Sequence, residues 1–190
     1  MILKKLCFVS VGATASFEKL IRQVLNEAFL AKLAQHKFTH LLIQYGKDGE
    51  ALWNEFVNDF PEEHLHGVRV GGFDFKPELW PCMHMATKTM TQDLGIVISH
   101  AGTGTILEAL RLALPLIIVP NADLAGNHQV DLAAQMQDMK YAIHADVDNL
   151  LEALDKAEAQ RSERPSRVSR PYGHEDTVVD PMADQLYFVD

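Results

Sequence analysis

"VISHAGTGTILEALRLALPLIIVP", Val97 to Pro120, decides the fold. An unbroken apolar run ends in a histidine and a Gly-Thr-Gly-Thr turn. A helix-patterned segment with one carboxylate follows, then a second apolar run. Strand, tight turn, helix and strand within two dozen residues is the unit of a parallel α/β sheet.

The same alternation extends outward in both directions. Apolar runs recur at Leu6–Val11, His40–Gln44, Val68–Gly71, Leu94–Ser99, Leu116–Val119 and Tyr141–His144. Several are continuous rather than alternating, as strands covered on both faces require. Between them, Phe17, Leu20, Ile21, Val24, Leu25 and Phe29 fall at i, i+3, i+4 spacing and predict one buried stripe. Ile106, Leu110 and Ala113 repeat that spacing, as do Val130, Ala133 and Ala134. The expected fold class is α/β, a Rossmann-like doubly wound parallel sheet over residues 1–158. Residues 159–190 read as a polar linker and an apolar-ended tail. The stretch 160–181 is charged, holds three prolines and keeps no period. The tail ends on Leu186, Tyr187, Phe188 and Val189, apolar residues that call for cover from this domain or from a partner.

With 190 residues the chain has room for one good-sized α/β domain. A formal net charge of −9 argues against nucleic acid as a ligand. No apolar run reaches the length of a membrane span. The apolar stretch from Leu6 to Val11, six residues long, is short for a secretion signal and reads better as a first buried strand. Two cysteines make no disulfide framework, and the expected location is the cytoplasm. Cys82–Met85, "CMHM", is read as core-filling sulfur rather than a copper site.

Candidate site residues follow from the strand ends. Ligands of an open α/β sheet sit beyond the carboxyl ends of its strands. There Gly102 and Gly104 leave backbone N–H groups open to a ligand, and Thr103 or Thr105 is placed to cap the next helix. Such a corner favours an anion, usually phosphate. Glu108, one turn beyond Gly104, suits a ribose diol, or else pairs with Arg111 at i+3. His100 ends the strand, as a donor to phosphate or simply as a polar terminus. Asn127 is a competent N-cap, and His128 and Gln129 supply uncharged groups suited to sugar hydroxyls. A second small-residue corner holds Gly12, Ala13, Thr14 and Ser16, and a third is "QYGKDG", Gln44–Gly49. "GTGTIL" lacks the third glycine of a dinucleotide fingerprint, so a nicotinamide enzyme is disfavoured.

His100, Gly102, Glu108, Pro115 and the pair His128-Gln129 together resemble the donor-site signature of GT-B glycosyltransferases. "FVSVGATASFEKLI", "IQYGKDG" and "ISHAGTGTILEAL…NHQ" extend the likeness. They make the chain similar to the donor-binding half of the bacterial lipid-linked N-acetylglucosaminyltransferase, and to the small catalytic, donor-binding subunits of eukaryotic UDP-N-acetylglucosamine transferases. The resemblance implies a single GT-B half-domain. It implies a catalytic subunit that moves GlcNAc from UDP-GlcNAc to GlcNAc-diphosphodolichol with inversion. It places Glu108 on the ribose of UDP, Gly102, Thr103, Gly104 and Thr105 on the diphosphate with His100 beside it, and Gly12, Thr14 and Ser16 on the other side. Asn127, His128 and Gln129 fall at the GlcNAc, and Phe73, in "GGFDF", along the uracil. It further implies a membrane-anchored acceptor-side partner that recruits the chain to the cytosolic face of the endoplasmic reticulum.

Neither a metal nor another cofactor is called for. The general base stays open between His100, a residue near the first loop, and the partner. Two rival functions remain: a non-catalytic UDP-sugar-binding or assembly subunit, and a related GT-B transferase with another acceptor.

Overall fold

The computed structural model describes residues 3–12, 15–123, 128–163 and 188–189. Six parallel strands form the sheet: β1 (Leu6–Ser10), β2 (His40–Gln44), β3 (Arg69–Phe73), β4 (Ile96–Ser99), β5 (Leu116–Ile118) and β6 (Ile143–His144). A seventh, β7 (Phe188–Val189), pairs antiparallel with β3, Gly71 opposite Phe188. The order across the sheet is β6-β5-β4-β1-β2-β3-β7. The tail thus contributes backbone pairing to its own domain at the open edge of β3.

Both faces are covered, which is why the middle of each longer strand is apolar on both sides and polar residues fall at the strand ends. Cys7 and Val9 of β1 face one core, and Leu6 and Phe8 face the other. The first core is closed by α1 (Glu18–Val24), α2 (Glu27–Gln35), α3 (Glu50–Asp59) and α7 (Leu150–Glu163). The second is closed by α4 (Trp80–His84), α5 (Thr103–Arg111) and α6 (His128–Asp138). Cys82 and Met83 are fully buried there, as the core-filling reading expects.

Three expectations shift. The stripe Phe17–Phe29 is buried throughout, but two helices carry it. The side chain of Asn26 accepts the Phe29 N–H at 2.8 Å and starts a new helix directly after the C-cap of the first, Leu25. In α6 the buried positions are Ala133 and Met136, while Val130 is exposed. The last helix, α7, runs to Glu163, past the boundary expected at 158. Arg161 holds its end down by donating to the Leu94 carbonyl at 2.6 Å.

The connections leave a crevice at a defined place. From β1 the chain turns to α1 on one face, and from β4 to α5 on the other, although β1 and β4 are neighbours. A reversal of winding between adjacent strands opens the sheet's carboxyl rim at that point.

Candidate functional site

His100 stands in the crevice. It follows Ser99, whose Cα pairs with that of Ser10 across β1 and β4. Its Nδ1 lies 3.2 Å from the Ser10 carbonyl. A carbonyl only accepts, so Nδ1 carries the ring proton and Nε2 keeps its lone pair. Burial holds the imidazole pKa below its ordinary value, so the ring is neutral at pH 7. The ring is clasped between two glycines. A methyl group on Gly12 would come within 2.6 Å of Nε2, and one on Gly102 within 2.6 Å of Cε1. Gly12 also has a φ of +87°, which disfavours any side chain. This geometry corrects the first expectation for His100. A neutral ring with Nδ1–H engaged has no N–H left for a phosphate oxygen, whereas Nε2 can take a proton.

Beside it, α5 begins without a side-chain cap. Gly102 is the N-cap, so neither Thr103 nor Thr105 caps as expected; they are already inside the helix. The first N–H to bond back is that of Ile106, to the Gly102 carbonyl at 3.0 Å. The N–H groups of Thr103, Gly104 and Thr105 therefore have no intrahelical partner, and the helix dipole adds to their positive field. Thr105 is buried at 7 % exposure, so it offers its N–H and not its hydroxyl. A methyl group on Gly104 would meet nothing within 4 Å, so open space lies in front of that turn.

Glu108, one turn on, is half-buried. Burial raises its pKa, the Glu78 carboxylate adds to that, and Arg111 opposes it. Its carboxylate forms no ion pair or hydrogen bond among the described residues, so the pairing with Arg111 is not made. A desolvated carboxylate without donors is suited to a pair of vicinal hydroxyls.

The loop after β5 closes the other side. Gln129 lies at the start of α6, and its Oε1 accepts the Asn121 N–H at 3.0 Å, which leaves its amide nitrogen as the available donor. Asn121 is buried, and its Nδ2 donates to the Ser16 carbonyl at 2.8 Å. Lys19 and Asp123 make a second, exposed tie at 3.1 Å. Asn121 thus joins the loops after β1 and β5, a role the sequence reading missed; its one signal is an Asx-type Asn-Ala-Asp turn directly after a strand. His128 is exposed beside Gln129, and Ser16 is exposed in the first loop. Thr14 and Asn127 lie outside the described residues.

Phe73, which the resemblance puts along the uracil, ends β3. The strand runs through Gly71 and Gly72, and Gly72 lets Trp53 pack against bare backbone, 2.8 Å from where a Cβ would stand. Phe73 then lands in the core beside Cys82 and Met83 at 8 % exposure, with the Lys76 ammonium 5.2 Å above its ring. Little ring face is left for a base. The exposed ring of that stretch is Phe75.

On the far side of His100, a pocket of ≈ 230 Å³ is lined by Gly12, Ala15, Ser16, Tyr45, Gly46, Lys47 and Asp48. Burial pushes both thiols up, Cys82 to about 11, so neither supplies a thiolate at neutral pH. Among the described residues no helix is long and apolar enough to cross a membrane.

Comparison with known proteins agrees with this fold. The model of the glycosyltransferase family 28 C-terminal domain matches residues 6–176. The UDP-N-acetylglucosamine transferase subunit ALG13 of Kluyveromyces lactis is 31% identical over 177 residues, covering 79% of this chain and 84% of that protein. Its Saccharomyces cerevisiae counterpart is 32% identical, with 73% and 76% covered. An NMR solution structure of ALG13 superposes with a TM-score of 0.60 at 28% identity, covering 88% of this chain and 92% of that one. The crystal structure of Acinetobacter baumannii MurG shares the fold, with a TM-score of 0.57 at 17% identity; 84% of this chain matches 42% of MurG.

Proposed function

The chain belongs to the glycosyltransferase family 28 C-terminal-domain family, and from that premise we propose that it is the donor-binding, catalytic subunit of a UDP-N-acetylglucosamine transferase. The reaction moves GlcNAc from UDP-GlcNAc to GlcNAc-diphosphodolichol, in the lipid-linked stage of N-glycosylation. The naming of the similar proteins as transferase subunits supports a partner. That partner is membrane-anchored, supplies the second half of the cleft, and holds this chain at the cytosolic face of the endoplasmic reticulum.

One observation carries the reading: three N–H groups without a partner among the described residues open onto the crevice beside a neutral histidine. The diphosphate of UDP lies against Thr103, Gly104 and Thr105. Glu108 takes the ribose hydroxyls, His128 and Gln129 take hydroxyls of the donor sugar with Asn127 nearby, and Gly12, Thr14 and Ser16 border the opposite side. The acceptor's 4-hydroxyl attacks the anomeric carbon from the face opposite the diphosphate, which inverts it. As the bond to UDP breaks, the electron pair goes to the diphosphate oxygen, where the α5 terminus stabilises the added charge. His100 Nε2 takes the hydroxyl proton. The fixed dipoles of the N–H groups supply the stabilisation of the leaving group, and the proposal calls for no metal.

The test is transfer of radiolabelled GlcNAc by the chain co-expressed with its membrane subunit. His100→Gln is expected to lower kcat by about 10²-fold or more, the usual range for losing a general base, with little change in KM for UDP-GlcNAc. Glu108→Ala is expected to raise that KM. UDP binding without transfer by the wild-type complex would instead make the chain a non-catalytic binding subunit.

A further inference from the structure

One row of the sheet departs from the apolar core around it. Phe8, Leu42 and Val97 face the second core, so the residues two further along their strands, Ser10, Gln44 and Ser99, face the same side. In register they form one line across β2, β1 and β4, flanked by Phe73 on β3 and Ile118 on β5. Ser10 and Ser99 are buried at 0 % exposure and Gln44 at 2 %. Buried polar side chains cost stability that apolar ones of the same shape do not, so this row calls for a reason other than packing.

The reason lies one residue beyond Ser99, at His100. The Ser10 carbonyl meets both N–H groups of His100, the backbone one at 3.1 Å and Nδ1 at 3.2 Å, and so uses both its lone pairs. The tautomer of the ring depends on where that one oxygen points. The peptide unit that carries the oxygen joins Ser10 to Val11, where β1 ends, and at Gly12 the chain departs with a φ of +87°. Gln44 grips this unit twice. Its backbone carbonyl accepts the Val11 N–H at 3.2 Å, and its side-chain Oε1 accepts the Ser10 hydroxyl at 2.7 Å. On the other side of Ser10, the Ser99 hydroxyl has no partner among the described residues, so it adds no second tie.

We infer that Gln44 is a positioning residue for the transfer reaction: through Ser10 it holds the carbonyl that fixes the His100 tautomer and aims Nε2 at the crevice. The inference rests on the role of His100 proposed above. Gln44 is buried, so its effect passes through His100 and not through contact with substrate.

The experiment compares Gln44→Met with the double variant Ser10→Ala/Gln44→Met, which removes both partners of the bond and leaves neither orphaned. Each is made in the complex with His100 intact and with His100→Gln. With His100 intact, kcat is expected to fall about tenfold, less than the roughly 10²-fold of a full ångström's misplacement, while KM for UDP-GlcNAc stays within about twofold. In the His100→Gln background the same substitutions are expected to change kcat by less than about twofold, because the group they position is gone. An equal fall in both backgrounds, no fall in either, or a rise in donor KM alone overturns the inference. The ring supplies the second readout. Nitrogen-15 NMR of the full chain, labelled at histidine, is expected to show His100 protonated on Nδ1 in the wild type and as a mixture of tautomers in both variants. A ring that keeps its Nδ1–H in both variants overturns the inference. If the wild-type complex transfers nothing, or if His100→Gln leaves kcat unchanged, the proposed function fails separately, and the ring signals alone decide whether Gln44 positions His100.

Discussion

The two rims of the sheet treat their polar groups in opposite ways. At the amino rim, Lys5 is buried at 3 % exposure, and its ammonium donates to Glu158 at 2.6 Å and to the His36 carbonyl at 2.9 Å. It also sits 4.0 Å over the Phe38 ring. Arg161 reaches Glu158 at 3.5 Å and Asp93 at 3.4 Å, while Asp155 holds both Lys32 and His36. At the carboxyl rim, three helix N–H groups, the Glu108 carboxylate and His100 Nε2 have no hydrogen-bond partner among the described residues. Among the described residues each rim has one buried orphan, the second oxygen of Glu158 and the hydroxyl of Ser99. Unpartnered polar groups cost stability unless water or a ligand serves them. The amino rim therefore holds the domain together, and the carboxyl rim is kept ready for a ligand.

Breaking the amino rim should have the largest effect. Lys5→Met leaves Glu158 buried beside Arg161 alone. It is expected to cost about 3–5 kcal/mol in denaturant unfolding, with donor KM unchanged in whatever remains folded. A loss below about 1 kcal/mol would remove the structural role assigned to that rim.

Next comes acid sensitivity, again from the amino rim. Burial, then the neighbouring Lys4 and Arg69, lowers the His40 pKa to about 4 from 6.5. Between those values the unfolded chain binds a proton that the folded chain refuses. Stability is full above about pH 6.5 and falls as pH drops toward 4, by on the order of 3 kcal/mol from this group. His100 contributes with the same sign. His40→Gln should flatten that part of the pH–stability curve; an unchanged slope contradicts the assignment.

At the carboxyl rim, Gly102→Ala needs no unusual backbone, but its methyl displaces the His100 ring. The expected loss is about 10²-fold in kcat, the scale of an ångström of misplacement. Gly104→Ala sharpens the comparison most, because its two effects have opposite signs. With open space before it and a better helix former in place, the domain should gain up to about 0.5–1 kcal/mol. UDP affinity should nonetheless fall about tenfold, because the methyl fills space reserved for the ligand. Unaltered UDP binding would mean that the space holds nothing.

Much of the carboxyl rim was legible in the sequence, because its signals are local. Glycines, a histidine and a glutamate within one strand-turn-helix unit fix their own neighbourhood, and apolar runs place all six parallel strands. The amino rim was not legible, since Lys5 and Glu158 are 153 residues apart and only the finished fold joins them. Asn121 bridging to Ser16 escaped for the same reason. The packing of Trp53 against Gly72, which turns Phe73 toward the core, was equally hidden, because it joins α3 to β3 only in the finished fold. The split of α1 from α2 was hidden because Asn26 caps a helix without interrupting the apolar stripe.

The most direct test is an NMR titration of the complex with UDP, following backbone amides. The account predicts that Thr103, Gly104 and Thr105 shift most and saturate together, while amides around Lys5 and Glu158 stay still. Saturating UDP that leaves those three amides unmoved would contradict it.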